Sequence, residues 1–221
     1  TMMKLIQRAY DLVIRPFLPY KISVHNGVPV RTRTKLLDMT DVFPEYEYPL
    51  IKGIRQQVEC GDKVVIVGGG LGVSTVTAVH ATGMKGNVIT YEGSHTQYKS
   101  VKETIKINGV SDQVELDHAI VGSYTTFSER NWGDSGDVEV LDPVDLPKCD
   151  VLELDCEGAE QEILEEMEVC PRIIIVETHG FLDSTTDEVA LILENAGYEI
   201  IEKETLDQRR GIDVLTAAQV E

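Results

Sequence analysis

From residue 45 onward, short runs of β-branched and aliphatic residues alternate with segments of helical period. The runs predict strands at residues 63–67, 87–91, 114–119, 150–154 and 172–177. Strands that alternate with helices form a mostly parallel sheet covered on both faces. Two further runs, 198–203 and 212–217, flank a polar turn and predict an antiparallel edge hairpin. The pattern therefore predicts an α/β fold, a three-layer, doubly wound, seven-stranded sheet.

The first 44 residues lack this alternation, so we predict an N-terminal extension, 1–44, ahead of a domain at 45–221. Apolar residues on one helical face predict a helix from Leu5 that ends near Pro16. This helix either packs on the domain or lies on a membrane surface. Residues 20–40 show no clear period, and irregular structure with one short strand is expected there.

The connection between the third and fourth predicted strands, residues 122–149, is unusually long. Connections of this length in compact α/β domains are either substrate lids or plain surface excursions. The sequence leaves both interpretations open.

Acidic residues outnumber basic ones by 38 to 20, which gives a formal net charge of −18 at pH 7. A surface this negative repels phosphate backbones and anionic lipids, so we expect no nucleic-acid partner. Such an acid excess is also typical of halophilic proteins, because salt screens the repulsion among carboxylates.

Several features of the composition predict a soluble, cytoplasmic protein. Hydrophobic residues make up 42% of the chain, enough for a substantial core. An uninterrupted apolar stretch of about 18 residues is absent, so no integral membrane association is expected. No signal-peptide core develops after Lys4 and Arg8. Four cysteines without a CxxC pair predict reduced thiols rather than disulfides or zinc. The oligomeric state stays open.

A glycine-rich turn, Gly68-Gly69-Gly70-Leu71-Gly72, follows the first strand of the predicted sheet and precedes a helix. Glycines at such a turn let the backbone approach a nucleotide closely. The spacing fits GxGxG and does not fit the GxGxxG of dinucleotide-binding proteins. Glu92 ends the second strand, where a carboxylate can accept hydrogen bonds from both ribose hydroxyls. The pattern predicts an adenosine-containing cofactor, either NAD or S-adenosylmethionine.

Residues 148–165, KCDVLELDCEGAEQEILE, contain the pattern D-x-E-G-A-E from Asp155 to Glu160. The glycine turn, the YEGS of residues 91–94 and the PRIIIVETHG of residues 171–180 fall in matching order around it. The chain resembles the FkbM-type methyltransferase family over about residues 45–200. The D-x-E-G-A-E element is the most specific part of this resemblance.

The resemblance implies a class I, Rossmann-like methyltransferase fold with strand order 3-2-1-4-5-7-6. It also implies S-adenosylmethionine as the methyl donor and a hydroxyl oxygen as the acceptor. One position departs from the pattern of this fold, because Ile66 stands where an acid usually precedes the first glycine by two residues. That acid commonly helps to hold the amino acid end of the cofactor.

The candidate site residues lie at strand ends. The candidate catalytic residues are Asp155, Glu177 and His179: Asp155 would position the acceptor or cap the following helix, and His179 would act as a general base. No metal is predicted, although Asp155 with Glu157 would bind Mg²⁺ if the reaction is Mg-dependent. The candidate cofactor-binding residues are Gly68, Gly69, Gly70, Gly72, Glu92, Gly93, Asp117 and His118.

The predicted function is S-adenosylmethionine-dependent methyl transfer, in the EC 2.1.1 class, to a hydroxyl of a small molecule, sugar or lipid-linked acceptor. Two alternatives remain. A non-catalytic binding or scaffold protein on the same fold is suggested by Ile66, and an NAD-linked oxidoreductase is disfavoured by the glycine spacing.

Overall fold

The computed structural model describes residues 13–14, 17–34, 40–123, 138–182 and 184–220. Most of the predicted N-terminal helix lies outside these residues, as does the middle of the long connection, residues 124–137. Among the described residues, no helix combines the length and apolar character that crossing a bilayer needs.

In chain order the strands are β1 (Tyr20–His25), β2 (Val28–Arg33), β3 (Val42–Phe43), β4 (Lys63–Val67), β5 (Asn87–Tyr91), β6 (Val114–Asp117), β7 (Ala119–Val121), β8 (Glu139–Leu141), β9 (Val151–Leu154), β10 (Ile173–His179), β11 (Tyr198–Asp207) and β12 (Ile212–Gln219). The α-helices are α1 (Tyr48–Gln57), α2 (Val73–Thr82), α3 (His95–Ile107), α4 (Glu160–Glu166) and α5 (Thr186–Asn195).

The central sheet has seven strands in the order β6-β5-β4-β9-β10-β12-β11. If these seven are numbered along the chain, the order reads 3-2-1-4-5-7-6. Strands β6, β5, β4, β9 and β10 run parallel, and β12 pairs antiparallel with both β10 and β11. The predicted α/β fold with a mostly parallel sheet is confirmed.

Hydrophobic clusters bury both faces of this sheet. On one face, Leu152 and Leu154 belong to the same cluster as Ile163 of α4 and Leu193 of α5. On the other face, residues of β4, β9 and β10 pack with α1, α2 and α3. Burial on both faces explains why the strands read as unbroken β-branched runs instead of alternating with polar residues.

The N-terminal segment forms a second, three-stranded sheet in the order β2-β1-β3. Strands β1 and β2 make an antiparallel hairpin whose turn residues, Asn26 and Gly27, have φ values of 46° and 87°. Two positive φ values are the signature of a type I′ hairpin turn, which Asn-Gly favours. The expectation of irregular structure with one short strand at residues 20–40 was therefore wrong, because the Asn-Gly signal was overlooked.

The predicted strand at 114–119 is divided in the structure. Strand β6 ends at Asp117, and β7 leaves the central sheet to pair in parallel with β8. Strand β8 lies within the long connection, so part of this segment has regular structure.

Candidate active site

The carboxyl ends of β4, β5 and β9 surround a crevice, the place where open α/β sheets bind ligands. The turn after β4 lies very close to the turn after β9. Gly68 has a φ of 101°, and a Cβ atom added to it would lie 1.9 Å from the carbonyl oxygen of Asp155. Only glycine fits there, and this contact fixes the position of the Asp155 backbone beside the glycine turn.

The four glycines of the glycine turn divide between two roles. Gly68 and Gly70 line the crevice. Added Cβ atoms at Gly69 and Gly72 would meet side chains of α3, with the nearest carbon of Val101 2.8 Å away at Gly69 and the Cβ of Thr104 3.1 Å away at Gly72. These two glycines therefore allow the turn and α3 to pack closely.

Glu92 lies where the sequence predicted it, at the end of β5, and its side chain joins two parts of the crevice wall. Its carboxylate accepts hydrogen bonds from the Gly70 N–H (2.9 Å) and the Ser94 N–H (2.7 Å). Burial raises the pKa of Glu92, and the backbone N–H groups oppose this rise. Each carboxylate oxygen has a second lone pair, so Glu92 keeps the capacity to accept ribose hydroxyls.

The remaining predicted cofactor-binding residues differ in position. Gly93 lines the crevice, whereas Asp117 and His118 stand beside it. The Asp117 carbonyl accepts the Glu92 N–H at 3.0 Å, and a ring nitrogen of His118 lies 3.1 Å from the Gly93 carbonyl oxygen. The apolar residues of β7, Ala119, Ile120 and Val121, line the part of the crevice next to Gly93.

The three candidate catalytic residues come together. The Nε2 atom of His179 lies 3.5 Å from a carboxylate oxygen of Glu177 and 3.6 Å from one of Asp155. Glu157 adds a third carboxylate oxygen at 3.7 Å. Asp155 and Glu157 line the crevice, while His179, with 2% of its surface exposed, lies behind them. A direct contact between His179 and an acceptor would therefore require Asp155 or Glu157 to move.

Glu160 fixes the orientation of His179. The His179 Nδ1–H donates to Glu160 at 2.9 Å, and the same carboxylate oxygen accepts the N–H groups of Cys156 (3.2 Å) and Gly158 (3.1 Å). The Glu160 side chain is fully buried. Although burial disfavours its charge, the hydrogen bond from His179 holds the pKa of Glu160 below its ordinary value. Glu160 belongs to the D-x-E-G-A-E signature, but the sequence pattern alone assigned no role to it.

The D-x-E-G-A-E segment forms a strained turn between β9 and α4. Glu157 has a φ of 55° and Gly158 a φ of 104°. A positive φ is uncommon for a residue other than glycine, and it persists where the surrounding contacts require it. The N-cap of α4 is Ala159, so Asp155 does not cap this helix. The alternative interpretation of Asp155 as an N-cap was wrong.

Negative charge is concentrated at this edge of the sheet. Burial and the neighbouring carboxylates raise the pKa of Asp155 well above its usual range. Burial also raises the pKa of Glu177 to about 7, and that of Glu47, which lines the crevice from the start of α1, to about 7. Glu47 was not among the predicted site residues, although it lies in the acidic and tyrosine-rich stretch before α1.

A mostly parallel sheet with a glycine turn after its first strand and a buried acid after its second is typical of the class of α/β proteins that bind a nucleotide-containing cofactor at the carboxyl edge. Within that class, residues 134–200 match the family described as the Methyltransferase FkbM domain. The match confirms the resemblance found in the sequence. No curated protein matches the chain.

Solved structures of methyltransferases share the fold. SMU.776, described as a candidate methyltransferase complexed with SAH, has a TM-score of 0.59 at 11% identity, over 90% of this chain and 56% of that chain. The B. subtilis M1A22 tRNA methyltransferase TrmK has a TM-score of 0.50 at 14% identity, over 77% of this chain and 65% of that chain. The protein aTrm5, solved in a complex with tRNALeu, has a TM-score of 0.56 at 16% identity, over 92% of this chain and 54% of that chain.

The chain thus spans less than two thirds of the length of these three structures. The family match and the shared fold support an S-adenosylmethionine-dependent methyltransferase. At identities this low, the structures establish the fold and not the acceptor.

The expectation that nucleic acid is excluded as a partner is contradicted, because a tRNA methyltransferase and a protein bound to tRNA have this fold. Net charge is a property of the whole surface, whereas phosphate binding needs only a local group of cations.

Proposed function

We propose that the protein transfers the methyl group of S-adenosylmethionine to a hydroxyl oxygen, an EC 2.1.1 reaction. One observation carries this proposal: the same crevice is lined by the glycine turn with its buried Glu92 and by Asp155 of the Asp155–Glu177–His179 cluster. A cofactor held by the first set would present its methyl group close to the second.

The residues present suit this cofactor. The Glu92 carboxylate retains free lone pairs for the ribose hydroxyls. Gly70, with a φ of 54°, is uncrowded, since a Cβ added there would meet only Oε1 of Glu47, at an ordinary contact distance of 3.9 Å. The backbone there can approach a ligand closely. Ala119, Ile120 and Val121 supply an apolar wall next to Gly93, which suits an adenine ring.

The transfer itself is an in-line displacement. A lone pair of the acceptor oxygen forms the new bond to the methyl carbon, and the electrons of the breaking carbon–sulfur bond return to sulfur, which leaves neutral S-adenosylhomocysteine. The hydroxyl proton passes to Asp155 or Glu157, the two carboxylates of the cluster that line the crevice. The rest of the protein's contribution is alignment of oxygen, carbon and sulfur.

The first experiment tests the cofactor. Thermal unfolding is measured with S-adenosylhomocysteine, S-adenosylmethionine and NAD, since a ligand at 100 times its Kd stabilises the folded state by about 2.7 kcal/mol. We expect stabilisation by the two sulfur nucleosides, and a weaker effect in Glu92→Gln. Glu115→Gln, on the exposed part of β6, is the matched control. Stabilisation by NAD alone would refute the proposal.

The second experiment tests the transfer and the acceptor. The protein is incubated with methyl-labelled S-adenosylmethionine and separate pools of sugars, small hydroxylated molecules, lipid-linked sugars and RNA. We propose the small-molecule, sugar or lipid-linked pools as the source of acceptor, and label in RNA alone would replace that choice. Asp155→Asn is expected to lower turnover with little change in cofactor affinity. Cofactor binding without transfer to any pool would favour the non-catalytic alternative.

A further inference from the structure

His179 Nε2 and the carboxylate oxygens of Asp155 and Glu177 lie close together, but they are too far apart for hydrogen bonds with good geometry. One ligand atom each from Asp155, Glu177 and His179 lie within 4.8 Å of one another. The distances from Nε2 to the nearest carboxylate oxygens of Glu177 (3.5 Å) and Asp155 (3.6 Å) exceed the usual 2.7–3.2 Å of a hydrogen bond. The imidazole nitrogen therefore faces the carboxylates of Asp155, which follows β9, and of Glu177 on β10 at distances longer than a hydrogen bond.

The other ring nitrogen determines what Nε2 can do. Because Nδ1–H donates to Glu160 at 2.9 Å, a neutral His179 presents the Nε2 lone pair to Asp155 and Glu177. The side chain of His179 is 3% exposed, so water has little access to it. Histidines that bind a metal through one ring nitrogen usually donate the other ring N–H to a carboxylate, as His179 does to the buried Glu160.

We propose that Asp155, Glu177 and His179 bind a divalent transition-metal cation of the Mn²⁺ type. Two ligands about 2.1 Å from one ion lie roughly 3–4 Å apart, which includes both Nε2 to oxygen distances. Carboxylates suit Mg²⁺, Ca²⁺ and Mn²⁺, whereas imidazole suits transition metals such as Zn²⁺ and Fe²⁺. Mn²⁺ is a transition metal that accepts carboxylate ligands, and it serves as the probe ion for this ligand set.

The charges nearby favour a cation. Two carboxylate ligands balance the charge of a divalent ion, and Glu157, 3.7 Å from the same nitrogen, adds negative charge on the crevice side. No lysine or arginine forms a salt bridge with Asp155, Glu177 or Glu157 among the described residues.

The consequence for catalysis rests on the proposed function. Three protein ligands leave coordination positions open, and Asp155 lines the crevice, so an acceptor hydroxyl there can reach the ion. A bound cation lowers the pKa of a coordinated hydroxyl, which eases loss of its proton to Glu157. Glu160 is then a positioning residue that acts through His179.

The test measures Mn²⁺ binding directly. The 221-residue protein is stripped with EDTA and titrated with Mn²⁺, and free Mn²⁺ is followed by electron paramagnetic resonance. We expect one ion per chain, and at least 100-fold weaker binding in Asp155→Asn and Glu177→Gln. Glu160→Gln should weaken binding by about 10- to 100-fold. Glu166→Gln, an exposed acid at the end of α4, is the control and should bind as wild type does.

One measurement needs no variant. Pulsed electron paramagnetic resonance of Mn²⁺ bound to the wild-type protein should detect the ¹⁴N coupling of a ligating imidazole. Absence of binding, absence of that coupling, or unchanged affinity in both carboxylate variants would each overturn the proposal.

The same samples separate this inference from the proposed function. S-adenosylhomocysteine affinity is measured with and without Mn²⁺. Mn²⁺ binding without nucleoside binding would keep the cation site and refute the methyltransferase proposal. Nucleoside binding without Mn²⁺ binding would do the opposite.

Discussion

The close approach of Gly68 to the backbone of Asp155 can be separated experimentally from the strain of its φ angle. Gly61 has nearly the same φ, 99° against 101° for Gly68, but no atom lies within 4 Å of an added Cβ there. At Gly68 the added Cβ would be 1.9 Å from the Asp155 carbonyl oxygen, about 1.1 Å short of the 3.0 Å that real Cβ contacts need. Gly61→Ala therefore measures the φ cost, and Gly68→Ala adds the collision.

The φ cost of an alanine in this region is about 1–2 kcal/mol, partly offset by the lower entropy of the unfolded chain. Overpacking adds about 1–3 kcal/mol, and here the obstacle is backbone, which cannot rotate away. We expect Gly68→Ala to lower the free energy of unfolding by about 2–3 kcal/mol more than Gly61→Ala does. Urea unfolding with matched m-values measures the difference. Equal losses in the two variants would refute the reasoning.

Three further results are expected. Burial raises the pKa of Glu47 from 4.5 to about 7, so the folded state holds this proton more tightly than the unfolded state does and loses stability as the pH rises through that interval. In urea unfolding, Glu47→Gln should raise the free energy of unfolding by about 1–3 kcal/mol at pH 8 and change it little at pH 4. Thr185 caps α5 in a capping box, and Thr185→Ala should cost about 1 kcal/mol in a thermal melt. Burial raises the pKa of the Cys149 thiol to about 12, so iodoacetamide at pH 8 should label the exposed Cys60 and spare Cys149.

The central sheet was predictable from sequence because its strands are buried on both faces. Burial of this kind requires unbroken apolar runs, and glycines or polar turns mark where each run stops. The positions of Glu92, Asp155, Glu177 and His179 followed from the same rule, since residues after parallel strands meet at one edge.

Other features depend on contacts between distant segments. The departure of β7 from the central sheet follows from its pairing with β8, about 20 residues later, which no local pattern near Asp117 indicates. The role of Glu160, at the start of α4, depends on His179, which lies 19 residues away at the end of β10. The hairpin of β1 and β2 was different, because its Asn-Gly turn was readable and was overlooked.

The acid that is missing from β4 has a counterpart on the adjacent strand. Ile66 pairs in register with Glu153 of β9, and both side chains are fully buried. Burial, with the charges of Glu47 and Glu177, raises the pKa of Glu153 well above its usual range, which favours the neutral form of this side chain. Neither Ile66 nor Glu153 lines the crevice. Under the proposed function, the amino acid end of the methyl donor would therefore meet carboxylates of the crevice wall instead, and Glu47, Glu92 and Asp155 lie next to Gly68 and Gly70 there.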